Sequence, residues 1–140
     1  MRRPRLREAW LALTFALTLH ILEGAVRNYL DFYNPLAMSL RDMLLWTWVP
    51  TFTFAAWIGG WAAILAALYG MAWFAAYPVR WIIWAAIAYG DVIFLFAAAK
   101  LGFAIYLQKA IPGVYTVPLL LAASCWLTAE AVLALRQRSA

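Results

Sequence analysis

A chain of 140 residues that is 68% hydrophobic and only 12% charged is not an ordinary soluble domain, since those average about 45–50% apolar and about 25% charged. Its net charge of +5 is carried at the chain ends and between apolar runs, a distribution that speaks for membrane orientation and against nucleic-acid binding. The single cysteine, Cys125, excludes an internal disulfide and any CxxC redox or zinc motif, and its apolar run predicts a small core residue.

These numbers predict an all-α fold. The expectation is an integral membrane bundle of four transmembrane helices in one domain (1–140), with a short interfacial helix between the first and second, at about 20 residues per span. Met1 to Glu8 is a basic tail. It resembles the start of a signal peptide, but no small-residue cleavage site precedes Glu23, so the first span is expected to stay in the mature protein. Span one covers about 9–30 and ends before Asp31-Phe32-Tyr33-Asn34-Pro35, read as an exit turn because the residue before proline resists helix. Between Leu36 and Val49, with Arg41 and Asp42 early and Trp46 and Trp48 late, a short helix lying in the interface fits.

Met43 to Val79 carries no charge, which is long for one straight crossing and short for two. Span two is predicted over about 51–77, opening at Pro50; the rival is a re-entrant hairpin broken at Gly59-Gly60. Ala55, Ala56, Gly59, Gly60, Ala63, Ala66, Ala67 and Gly70 read as a packing seam along it. Tyr77-Pro78-Val79-Arg80 is a tight turn. Span three, about 79–107, carries Asp91 and Lys100, and residues 108–113 form the next loop. Span four, about 114–135, carries Glu130 and ends in Arg136-Gln137-Arg138. Arg2, Arg3, Arg5, Arg7, Arg80, Arg136 and Arg138 fall on one side, against Arg27, Arg41 and Lys109 with Lys100 near the rim. That bias predicts a multi-pass protein of the cytoplasmic (inner) membrane with both termini in the cytoplasm.

The polar groups inside the spans are the candidate site. His20, the only histidine, shares a helix face with Glu23 and Arg27. Counted from the cytoplasmic side, His20 lies about 16 Å in and Asp91 about 18 Å in, one level near the midplane, with Glu130 about 9 Å in. His20, Glu23 and Asp91 are therefore the candidate catalytic residues, because a histidine between two carboxyls is a competent proton donor and acceptor near neutral pH. The competing reading makes these groups structural glue between helices. Lys100 is expected to snorkel, and Arg27 to pair with Glu23 or Asp31. Glu130, Arg27, Asp31, Trp57, Trp61, Trp84 and Trp126 are the candidate ligand contacts, the tryptophans walling a flat apolar molecule or else packing and facing lipid. No phosphate loop, GxSxG or HExxH occurs, and one histidine with one cysteine does not make a typical zinc site.

Tyr33-Asn34-Pro35-Leu36, Tyr89-Gly90, Tyr115 and Pro118-Leu119-Leu120, with His20 and Glu23, resemble the EXPERA family of four-helix membrane proteins, which includes the sigma-two receptor and emopamil-binding sterol isomerases. That resemblance implies an apolar ligand and isomerase chemistry, with Asp91 the nearest substitute for the family's acidic residue in span two. His20, Gly24, Asp31 and Phe32, continued by Pro35-Leu36-Ala37, resemble the His-x3-Gly-x6-Asp-Tyr motif of the small membrane-anchor subunit of succinate dehydrogenase. This second likeness implies haem on His20 and quinone near Asp31. His20 and Glu23 also resemble the start of the HXXEE membrane family's motif.

The function expected is an intramembrane cavity for a small apolar molecule (sterol, terpenoid or quinone-like lipid), with proton-transferring isomerisation or cyclisation if it is an enzyme. The alternative is a non-catalytic anchor or accessory subunit of a respiratory-type complex. No cofactor is expected on the first reading, and haem on His20 only on the second. Expected partners are membrane lipids and the apolar molecule, not nucleic acid; a homo-oligomer or a membrane-complex partner stays open.

Overall fold

The computed structural model describes residues 5–44, 48–77 and 79–139, the side chains of 138 and 139 excepted. Trp46, Pro78, Arg2 and Arg3 lie outside the described residues, as does the side chain of Arg138. Among the described residues five α-helices follow one another: α1 Leu6–Val26, α2 Tyr29–Leu44, α3 Phe54–Ala75, α4 Arg80–Tyr106 and α5 Val117–Ser139, the last preceded by a 3-10 turn at Val114–Thr116. Among the described residues there is no strand. α1, α3, α4 and the segment Val114–Gln137 are each long and apolar enough to cross a membrane. The 21 residues of α1 reach about 31 Å, close to the ~30 Å of a bilayer's hydrocarbon core.

The four long helices alternate in direction, so the start of α1 and the end of α5 share one end of the bundle; α2 and the 107–116 loop occupy the other, called here the far end. α4 packs along α5, and α1 packs against both α5 and α3, whereas α3 and α4 barely touch. Leu6, Trp10, Leu13 and Leu17 recur at helical spacing on α1 and share one buried core with Ile82, Ile83 and Ala86 of α4 and Leu120, Leu127 and Ala131 of α5. Gly90 lets α4 approach α5: a Cβ there would run into Thr128 Oγ1 and lie 3.2 Å from the Ser124 carbonyl oxygen. Polar cross-links add to the core. The Trp10 indole donates to the Leu68 carbonyl at 2.8 Å, and the Thr14 and Tyr89 hydroxyls lie 3.3 Å apart.

α3 runs unbroken through Gly59-Gly60, so the hairpin fails, and Thr53 rather than Pro50 starts it, accepting the Ala56 N–H at 3.3 Å. The exit turn falls at Arg27-Asn28, where Asn28 takes φ 52°, the left-handed region that asparagine tolerates. Asp31-Phe32-Tyr33-Asn34-Pro35 is consequently helical and belongs to α2. Pro35 forfeits one helical hydrogen bond there. The same turn ties α2 to the segment before α3: Tyr33 donates to the Pro50 carbonyl at 3.1 Å, and Asn34 exchanges bonds of 3.0 and 3.1 Å with the Phe52 backbone. The predicted seam on α3 is not closed by the described residues, none of which lies within 4 Å of where a Cβ would stand at Gly59, Gly60 or Gly70. Cys125 is exposed, not core.

Candidate functional site

Because α3 and α4 part company, a cleft of about 360 Å³ opens between them. α1 is its floor (His20, Ile21, Gly24), α3 one wall (Trp57, Gly60, Trp61, Ile64) and α4 the other (Phe96, Lys100), with Tyr29, Tyr33 and Phe52 at the far-end rim. The walls are aromatic and aliphatic; the Lys100 amine on the α4 wall and the His20 imidazole on the floor face the cleft, with the Tyr29 and Tyr33 phenols at its rim. Tyr29 stacks on both Trp57 and Tyr33, 5.8 Å between ring centres in each case. Burial first, and Tyr33 beside it second, push the Tyr29 phenol above its ordinary value, so it stays protonated.

His20 is 6% exposed, and both its ring nitrogens are engaged. Lys100 Nζ lies 3.0 Å from Nε2, and Thr116 Oγ1 lies 2.8 Å from Nδ1. With Lys100 as an ammonium, which donates and never accepts, Nε2 accepts, Nδ1 carries the ring proton and donates it to Thr116 Oγ1. The threonine hydroxyl then donates to Glu23 Oε2 at 2.8 Å. One hydrogen-bonded chain results: Lys100, His20, Thr116, Glu23. It links an amine in the cleft to a carboxylate at the far end, with an imidazole between them able to hold or pass a proton.

Glu23 is anchored by the turn before α5. Its carboxylate accepts the backbone N–H groups of Gly113 at 3.1 Å, Tyr115 at 3.3 Å and Thr116 at 3.0 Å. Arg27 adds an ion pair at 3.7 Å, with its guanidinium 4.4 Å from the centre of the Tyr115 ring. Gly113 takes φ 86° and lies directly over the pair: a Cβ there would strike Lys100 Nζ and come within 2.7 Å of His20 Cε1.

His20 and Glu23 thus belong to one constellation, with Trp57 and Trp61 walling the cleft beside it. Asp91 does not join them. It is exposed and accepts from Thr128 at 3.1 Å, nine residues before Lys100 and so about 13 Å lower along α4. The shared level expected for His20 and Asp91 is corrected accordingly. Glu130 is buried at the opposite end, where it accepts the Arg5 N–H at 2.8 Å and the Trp126 indole at 3.2 Å. It satisfies a donor at the start of α1 and suits the positive end of that helix; it is no part of the cleft. Trp84 faces outward at 51% exposure, and Trp126 serves Glu130. Arg27 and Asp31 border a separate shallow groove with Lys109 and Pro112.

Sequence reasoning did not single out Thr116 or Gly113, and it left Lys100 as a snorkelling rim residue. The missed signal is register. His20 stands six residues before the end of α1 at Val26, and Lys100 six before the end of α4 at Tyr106. Counting from the far end would have put them level. No family model, curated protein or solved structure matches the chain.

Lys100 and Lys109 are the only lysines in the sequence, which gives this geometry a direct check. A water-soluble acetylating reagent is expected to modify Lys109, exposed in the 107–116 loop, and to spare Lys100. Peptide mapping reads both sites, and equal labelling would place Lys100 in open water.

Proposed function

We propose that this is an integral membrane protein that holds a small, largely apolar molecule in the cleft between α3 and α4, with the polar end of that molecule at Lys100 and His20. The observation that carries this reading is the cleft's make-up: about 360 Å³ of aromatic and aliphatic wall converging on one amine and one imidazole. Small-molecule sites have that character, at volumes of about 300–1,000 Å³ with few convergent polar groups. The arginine bias puts the termini in the cytoplasm and the cleft's polar end towards the opposite face, with α2 lying at that interface.

Binding is the function favoured over catalysis. Isomerisation or cyclisation needs a second acid–base group across the ligand, and Asp91, the expected one, is bonded to Thr128 outside the cleft. The His20–Lys100 pair remains able to exchange a proton with a bound molecule. On this reading the likeness to the EXPERA family reaches as far as an apolar ligand. Haem ligation by His20, as the anchor-subunit likeness implies, would first have to displace Lys100 from Nε2.

The cleft reading is tested by filling it. Gly60 lines the cleft and has open space around its missing Cβ. Gly60→Leu therefore sends a side chain into the cleft from a Cβ that meets nothing within 4 Å, and it gains about 1 kcal/mol of helix propensity. Solvent extraction and mass spectrometry of the purified protein are expected to find one apolar species at a fixed ratio to the chain. The variant should lose that species and melt no lower than the parent. Co-purification that Gly60→Leu leaves unchanged would sink the reading.

A further inference from the structure

We infer that the molecule in the cleft is a single-chain apolar carboxylate, seated with its carboxylate on Lys100 Nζ and its hydrocarbon running along α3 past Gly60 towards Ile64. This inference rests on the binding reading above and names the ligand's class.

Charge at Lys100 calls for an anion. Among the described residues Lys100 makes no ion pair; the ion pair at this end belongs to Arg27 and Glu23. Its neighbours are His20 Nε2 at 3.0 Å and the rings of Tyr29 and Phe96, 5.0 and 5.7 Å from Nζ to the ring centres. An ammonium has three donors, and one is spent on His20. Ring faces attract a cation, yet they do not replace an anion for a charge half withdrawn from water, as the half-buried Lys100 is. Glu23 is the nearest candidate, but its oxygens are committed to the 113–116 turn, with Thr116 and His20 standing between it and the amine. With His20 neutral, Lys100 and Arg27 against Glu23 leave the constellation one positive charge in excess. A single monoanion at Lys100 cancels it. A neutral ligand would accept a hydrogen bond from Nζ and leave the charge uncompensated.

Depth sets which end of the ligand is polar. Lys100 stands six residues before the end of α4, about 9 Å in from the far end. Ile64 is ten residues into α3, about 15 Å in from that same end. Beneath its aromatic rim of Tyr29, Tyr33 and Phe52, the cleft therefore has its cationic site first and its aliphatic part deeper. That is the polarity of an ionised amphiphile lying in one leaflet, head outward and chain inward. The sparse contact between α3 and α4 gives such a chain a lateral way in.

The test uses the purified full chain in detergent micelles and two matched probes, 11-bromoundecanoic acid and 11-bromoundecanol, at a pH where the acid is ionised. Bromine quenches tryptophan at short range, and Trp57 and Trp61 both line the cleft. The acid is expected to bind about tenfold more tightly than the alcohol, as suits one charge-assisted contact. Lys100→Met should bring the two affinities together while the alcohol still binds, which shows that the cleft is intact. Lys100→Arg should keep the preference for the acid. Gly60→Leu corrects both probes for partition into the micelle. Equal affinities in the parent, or an acid preference that survives Lys100→Met, would overturn the carboxylate and leave the cleft reading standing. Quenching by both probes that Gly60→Leu does not reduce would overturn the two together.

Discussion

Glu23→Ala is expected to lower the stability of the protein by about 3 kcal/mol, while Lys100 stays bonded to His20. The carboxylate accepts three backbone N–H groups and one hydroxyl from the turn that starts α5. Tyr115 is exposed, so water rescues its N–H; Gly113 is buried and Thr116 half-buried, and theirs are left short of a partner. Each buried donor left unsatisfied costs about 1–3 kcal/mol, and bonds to a charged acceptor stand at the upper end. Thr116 still accepts from His20 Nδ1 in the variant, with its own proton turned to the Gly113 carbonyl oxygen 3.1 Å away. Stability and ligand contact therefore separate: the melting midpoint falls and the affinity of the cleft for an apolar probe holds. Glu23→Gln should recover about half the loss, because one oxygen still accepts while the amide nitrogen meets donors it cannot serve. Thermal unfolding in detergent, followed by helix circular dichroism, reads all three proteins. A midpoint that does not move in Glu23→Ala would mean that the turn before α5 holds itself.

What the sequence made legible follows from what each signal averages over. Apolar runs of span length are a sum over about 20 side chains, so α1, α3, α4 and α5 were readable to within a few residues. The turn after α1 hung on single residues. Asn34-Pro35 carries the stronger turn signal, yet Asn28 made the turn, because a left-handed asparagine needs no proline and Tyr33 and Asn34 found partners at Pro50 and Phe52. Polar depth was the least legible quantity. The levels of His20 and Asp91 were counted from predicted helix starts on the cytoplasmic side, while α1 begins three residues before the expected Ala9. Three residues are about 4.5 Å of height, and α4, at 27 residues against the 21 of α1, starts about 9 Å lower when the far ends are level, which makes up the rest of the offset. Glu23 and Glu130 look alike in sequence, two carboxyls in apolar helices. Packing gave one to a loop beside the cleft and the other to the first turn of α1 at the opposite end.

Gly113→Ala and Gly60→Ala are the same substitution and are expected to act in opposite directions. At Gly113 the backbone holds φ 86°, where a side chain costs about 1–2 kcal/mol. The added methyl would also strike Lys100 Nζ and stand 2.7 Å from His20 Cε1, and forcing a group into packed surroundings costs about 1–3 kcal/mol more. The sum is a loss of about 3 kcal/mol. At Gly60, in the middle of α3 with nothing within 4 Å of the new atom, alanine is better for the helix by about 1 kcal/mol. The second consequence at Gly113 is chemical. Lys100 must swing away, which breaks its bond to His20 and carries the amine out of its place on the cleft wall. Gly113→Ala should thus lose both stability and the preference for an acid over an alcohol, whereas Gly60→Ala should gain stability and keep that preference. A Gly113→Ala protein as stable as the parent, with its acid preference intact, would show that the 107–116 loop does not close over the His20–Lys100 pair. The relay from the cleft to Glu23 would then have no lid to hold its members in register.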